Sequence, residues 1–127
     1  MLDIDAYKDA IWDWIDGALG ASIDHRIYWI IRPEDASPPF IILDELSLEF
    51  TQLSGGWRAD IDLTIRYYGR IGSADESDGM RLLNSLRSPA RIMGDIIEID
   101  RIGNAPTTSP DVFGLMAEAS QVLTRIA

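Results

Sequence analysis

Residues 57–68 alternate without a break, with Ala59, Ile61, Leu63, Ile65 and Tyr67 on one side and Arg58, Asp60, Asp62, Thr64 and Arg66 on the other. Successive strand side chains point to opposite faces, so this spacing predicts one long strand with an apolar face to bury and a polar face to expose. A slip of one residue would turn the whole apolar set to water, so the register is firmly specified. The rest of the chain must supply the cover for that apolar face.

Two helices are placed to do so. Ile4, Tyr7, Ile11, Trp14, Ile15, Ala18 and Leu19 recur at helical spacing, with Asp3 or Asp5 able to cap the first turn and Gly17 or Gly20 to end the helix. Trp12 lies off this stripe, either as a flanking core residue, the favoured reading, or as an exposed contact. Ser73-Ala74-Asp75-Glu76 has the form of a capping box and opens a second helix, whose apolar face is Met80, Leu82, Leu83 and Leu86 and which Pro89 stops. Further strands are predicted over residues 23–32, 40–50 and 95–100. A proline-rich connector, 33–39, separates the first two, and a hairpin loop, 51–56, follows the second. In the second of these strands Leu46, Leu48 and Phe50 share one face, and Glu45, Ser47 and Glu49 the other.

Residues 110–126 read both ways. Ser109-Pro110-Asp111 is a good helix start, and Val112, Leu115, Met116, Ala119, Leu123 and Ile126 keep helical spacing, while 121–126 has strand composition. Periodicity favours helix. The expected fold is a single α+β domain, residues 1–127, with an antiparallel sheet of about four strands. Two or three helices cover one face of it, in the order α-β-β-β-α-β plus the C-terminal element.

The residue inventory excludes most chemistry. The 127 residues include no cysteine and one histidine, His25, so disulfides, thiolate metal sites, thiol nucleophiles and a two-histidine metal site within one subunit are all ruled out. Asp24 and His25 are strand neighbours pointing to opposite faces, which does not make a proton-transfer dyad. Ser54-Gly55-Gly56 lacks the strand-to-helix setting and the lysine of a phosphate loop, and Asp75-Glu76-Ser77-Asp78 lacks the spacing of a calcium loop. No catalytic, cofactor-binding or metal-ligating residue is expected, and the chain does not read as an enzyme.

Eleven basic against 21 acidic side chains leave a net charge of −10. One lysine and ten scattered arginines offer no cluster to hold a phosphate backbone or an anionic membrane surface. No apolar stretch approaches the roughly 20 residues of a membrane span. The acidic start Met1-Leu2-Asp3-Ile4-Asp5 is unlike a signal peptide, so the chain is expected to be soluble and unprocessed.

The opening helix with Tyr7-Lys8-Asp9-Ala10-Ile11, the connector ending in Pro38-Pro39-Phe40-Ile41-Ile42-Leu43, the alternating strand 60–68 and the helix with Met80 to Leu86 resemble tail-terminator and tail-completion proteins of long-tailed bacteriophages. The resemblance spans nearly the whole chain, as a pattern rather than a signature motif, and no family residue is carried over. It implies a non-enzymatic virion protein that forms a ring, usually a hexamer, on the last tail-tube disk. Such a ring stops tube growth and offers a docking surface for the head. The implied partners are further copies of the chain, the tail-tube protein and a head-completion or connector protein, with DNA passing through unbound and no membrane contact. The implied location is the head-proximal end of the virion tail, after assembly in the host cytoplasm. Head-completion, connector and tail-tube proteins share much of this pattern. A small cellular adaptor or ligand-binding domain is the alternative from another class.

Two surface expectations follow from the residues. Glu45, Glu49, Asp60 and Asp62 are expected on one sheet face, where as the wall of a lumen they would repel phosphates within about 8 Å, the Debye length at physiological salt. Leu53 and Trp57, near the hairpin tip, are expected to contact a neighbouring subunit or the tube, the alternative for Trp57 being that it folds back onto the sheet.

Overall fold

The computed structural model describes residues 2–32, 36–107 and 109–126. Its frame is a seven-stranded sheet: β1 (Ile27–Trp29), β2 (Phe40–Leu43), β3 (Ser47–Leu53), β4 (Gly56–Arg70), β5 (Ala90–Ile92), β6 (Asp95–Asn104) and β7 (Val112–Ile126). The spatial order is β1-β2-β4-β7-β6-β5, with β3 lying beside β4 along the same edge as β2. The alternating segment is β4, and it pairs with β7 over its full length, from Gly56 opposite Ile126 to Arg70 opposite Val112.

Two helices cover one face. In α1 (Ile4–Leu19), Asp3 Oδ1 accepts the Ala6 N–H at 3.1 Å, and Tyr7, Ile11, Ile15 and Leu19 form a buried stripe. In α2 (Asp75–Ser85) the buried side chains are Leu82 and Leu83, with Leu86 just beyond its end. They meet Ala59, Ile61, Leu63, Ile65 and Tyr67 of β4 in the main core. Each fully buried Leu or Ile contributes about 1.5–3 kcal/mol by leaving water. The capping box before α2 exists in shifted form. Ser73 Oγ accepts the Asp75 N–H at 3.1 Å, and Glu76 Oε1 accepts the Gly72 N–H at 3.3 Å, each one residue earlier than the ideal. Gly79 lets α2 press onto β4, since a Cβ there would lie 2.4 Å from the Tyr67 ring. Burial, aided by Asp75 and Asp78, pushes the Tyr67 hydroxyl up to about 12.

Among the described residues, one polar residue is buried in this core. Gln121 of β7 accepts the Tyr7 hydroxyl at 2.6 Å and donates to the Ile92 and Asp95 carbonyls at 2.8 Å each, tying α1, β7 and the β5–β6 turn together. All these groups are satisfied, as burial demands. Burial also raises the Tyr7 hydroxyl well above its ordinary range.

The α+β class stands, with helices on one face, but the sheet corrects several expectations. It has seven strands rather than about four, and it is mixed, because β1 and β2 run parallel. Residues 112–126 are strand, not helix: the complete β4 register supplies a ladder bond set that outweighs the helical spacing of their apolar residues. The strand expected at 23–32 shrinks to Ile27–Trp29. Gly20–Ile23 form a single tight helical turn, and Asp24, His25 and Ile30 take left-handed φ values of 54°, 56° and 65°, which no strand accommodates. The strand expected at 40–50 breaks at 44–46, where the chain steps outward between β2 and β3. The loop expected at 51–56 is a two-residue turn, Ser54-Gly55, with Gly55 at a φ of 79°. The 33–39 connector lies partly outside the described residues. Trp12 is a flanking core residue whose Nε1 donates to the Ile27 carbonyl at 3.1 Å.

Candidate functional site

The helices leave the other face of the sheet open. Directly opposed residues of neighbouring strands share a face, so the register assigns its occupants. Glu49 lies opposite Asp60, and Asp60 opposite Val122. In the next row Ser47, Asp62, Ser120 and Glu98 follow one another across β3, β4, β7 and β6. The open face therefore brings Glu49, Asp60 and Asp62 together as the alternation predicts. Glu45 falls in the step between β2 and β3, exposed but outside the paired register.

Three arginines of this face are held by carboxylates within the chain. Arg58 reaches Asp60 at 2.9 Å, Arg66 reaches Asp44 at 2.6 Å, and Arg101 reaches Glu118 at 2.9 Å. The Arg58 hydrogen bond holds the Asp60 carboxyl below its ordinary range. Glu49, Asp62 and Glu98 have no such partner among the described residues. These three guanidinium charges are thus locally cancelled; Arg91, opposite Ile96 on the same face, donates to the Gly94 carbonyl at 3.1 Å, and the excess on this half of the face is still negative.

The opposite end of the same face is aromatic. Phe40, Ile42 and Tyr68 form a second, smaller cluster with Tyr28 and Val112, and the Phe40 and Tyr68 rings stand 5.4 Å apart. An open groove of about 470 Å³ runs beside them, bordered by Arg32, Arg66 and Pro106. Arg66 also donates to the Tyr68 hydroxyl at 2.8 Å.

The hairpin residues lie on opposite sides of the sheet. Leu53 pairs with Gly56 and faces the open side, where Ile126 is 83% exposed on the neighbouring strand. Trp57 faces the helix side, where it leans on the main core and meets Phe50 edge-on at 6.2 Å. His25 faces Asp16, not Asp24: Nδ1 lies 2.5 Å from Asp16 Oδ1, which raises the imidazole above its ordinary value. Among the described residues no group of three or more acidic or histidine side chains could hold a metal ion. No helix of the described residues is long and apolar enough to cross a membrane.

Glu98, Arg101, Glu118 and the aromatic end escaped the sequence reading. Glu118, Ser120 and Thr124 do alternate with Ala117, Ala119, Gln121 and Leu123, but Val122 and Met116 on the polar side blur that period-two signal.

No family model matches the chain, and neither does any curated protein. Among solved structures the fold is similar to a chain of the virion of a native gene transfer agent particle, with a TM-score of 0.60 and 12% sequence identity. The match covers 87% of this chain and 85% of that one. At that identity the likeness is one of fold.

Proposed function

We propose that the chain is a structural, non-enzymatic subunit of a phage-like virion, acting as the terminator of its tail. In this role copies close into a ring, the expected number being six, on the last disk of tail-tube protein. The ring halts tube growth and presents a surface to a head-completion or connector protein. The observation that carries the reading is the open acidic face of a sheet whose other side is sealed by helices, on a fold shared with a virion chain.

The face suits a channel wall. DNA entering a head-to-tail passage must slide without adhering, and clustered cations would hold it by releasing its counterions. Here Arg58, Arg66 and Arg101 are tied to Asp60, Asp44 and Glu118, and Glu49, Asp62 and Glu98 outnumber the remaining Arg91 in facing phosphate. The helices then face outward. Leu53 and Trp57, on opposite faces of the hairpin, contact the neighbouring subunit or the tube.

The test is functional. Purified chain added to growing tail tubes should arrest their elongation at a fixed length, and the tubes should carry a terminal ring by electron microscopy. Particles carrying Asp60→Lys and Asp62→Lys should assemble but release DNA more slowly. Tubes that grow unchecked would overturn the terminator role, and unaltered release would overturn the lumen assignment.

A further inference from the structure

The strand β3 has one bare edge. It pairs with β4 and, among the described residues, with nothing on its other side. The direction of its backbone groups follows from β4. Thr64 accepts the Asp44 N–H at 3.0 Å, so alternate residues of β4 from Thr64 back to Gly56 direct their polar backbone groups towards β3. Their register partners Ser47, Glu49, Thr51 and Leu53 are bonded to β4. The N–H and C=O groups of Leu48, Phe50 and Gln52 consequently point away from the sheet.

Natural edges are blunted by lysine, proline, bulges or inward charges. Ser47–Leu53 contains none of the first three, and its one charge, Glu49, points to the open face. A regular strand of seven residues in this state is built for pairing.

A matching edge lies across the molecule. β5 covers β6 only from Asp95 to Ile97, leaving residues 98–104 without a strand partner on that side among the described residues. The Ala105 N–H donates to Gly114 at 2.9 Å, so Arg101 and Gly103 are bonded to β7, and Ile102 and Asn104 direct their groups outward. The register shift between Ile99 and Arg101 restricts regular pairing to this far part of the strand.

We infer that β3 of one copy adds to the bare edge of β6 in the next, making one sheet continuous around the ring; this rests on the ring-forming function proposed above. Strand direction permits it. β3, β4, β7 and β6 alternate in direction, so β3 and β6 run oppositely. Rotation about an axis along the strands preserves both directions, which makes the junction antiparallel. The contact is heterologous, the kind that closes into rings. Placing Leu48 opposite Ile102 puts two half-buried apolar side chains on the helix side and sets Glu49 across from Arg101 on the open face. A two-fold β3-to-β3 pairing would instead stop at two copies and leave β6 bare.

The chain has no cysteine, so an introduced pair reports without background. In this register Glu49 and Arg101 form a non-hydrogen-bonded pair, with Cβ atoms about 4.5–5.5 Å apart, near what a disulfide spans. Full-length chain carrying Glu49→Cys and Arg101→Cys together should, on mild oxidation, give a covalent ladder that ends at the ring size. The two single variants should cross-link when mixed and not when alone. Disulfides between two copies of residue 49 would overturn the junction in favour of the two-fold pairing. Absence of any cross-link, while native mass spectrometry of the wild-type chain still records a closed ring, would overturn the junction and leave the ring standing. Absence of the ring itself would overturn both.

Discussion

Gln121 shows how much one side chain can hold. It accepts from Tyr7 and donates to two carbonyls at the β5–β6 turn, all in the interior. Gln121→Leu would leave the Tyr7 hydroxyl and both carbonyls without partners, at a cost of about 3 kcal/mol in chemical denaturation. Tyr7→Phe should cost less, about 1 kcal/mol, because the amide keeps its two donations. Equal losses would mean that the two donations from Gln121 to the carbonyls contribute nothing separable from the Tyr7 bond. Gly79 tests packing against propensity. Alanine would raise helix propensity by about 1 kcal/mol, but its Cβ would lie 2.4 Å from the Tyr67 ring. We expect Gly79→Ala to lower stability by about 1–2 kcal/mol, the usual cost of overpacking. A gain would show that the ring yields freely. His25 is a third case. Its hydrogen bond to Asp16, then the Asp16 charge, raises the imidazole above 6.5. The stabilising contribution is therefore complete below the unfolded value and fades as pH rises through the folded one. NMR titration should place His25 above 6.5, and Asp16→Asn should bring it back towards that value; an unmoved midpoint would discount the pair.

At the level of elements, legibility tracked how strongly one face dictated each residue. The β4 alternation, the α1 stripe with its Asp3 cap and the leucines of α2 were readable because each buries one side against the core, whereas Met80, expected on the same α2 face, is exposed. β7 was not. Met116 and Val122 face the open side of the sheet, so its apolar residues occupy both faces and fit a helical period as well as a strand. β5 was too short to register, and β1 was overextended because 23–32 is rich in β-branched residues whose backbone turns at Asp24, His25 and Ile30. Of the candidate surface, Glu49, Asp60 and Asp62 were legible from alternation alone. Arg101 and Glu118 were not, because their meeting depends on the β6–β7 register. The hairpin carries its own expectation. Leu53→Ala with Trp57→Ala should lower the assembled fraction in sedimentation while far-UV circular dichroism keeps the monomer signature. Undiminished assembly would remove the hairpin from the contact.

For the whole molecule, the division of labour is by face. One side of the sheet is spent on the core, and the other carries charge at one end and aromatic rings at the other. In the proposed role, the open face and the two strand edges acquire a use when copies assemble. Native mass spectrometry of the purified chain tests that claim most directly. A single closed species, of six copies in our reading and unchanged over a tenfold dilution, is the result expected. A spectrum of monomers alone at high concentration would contradict it.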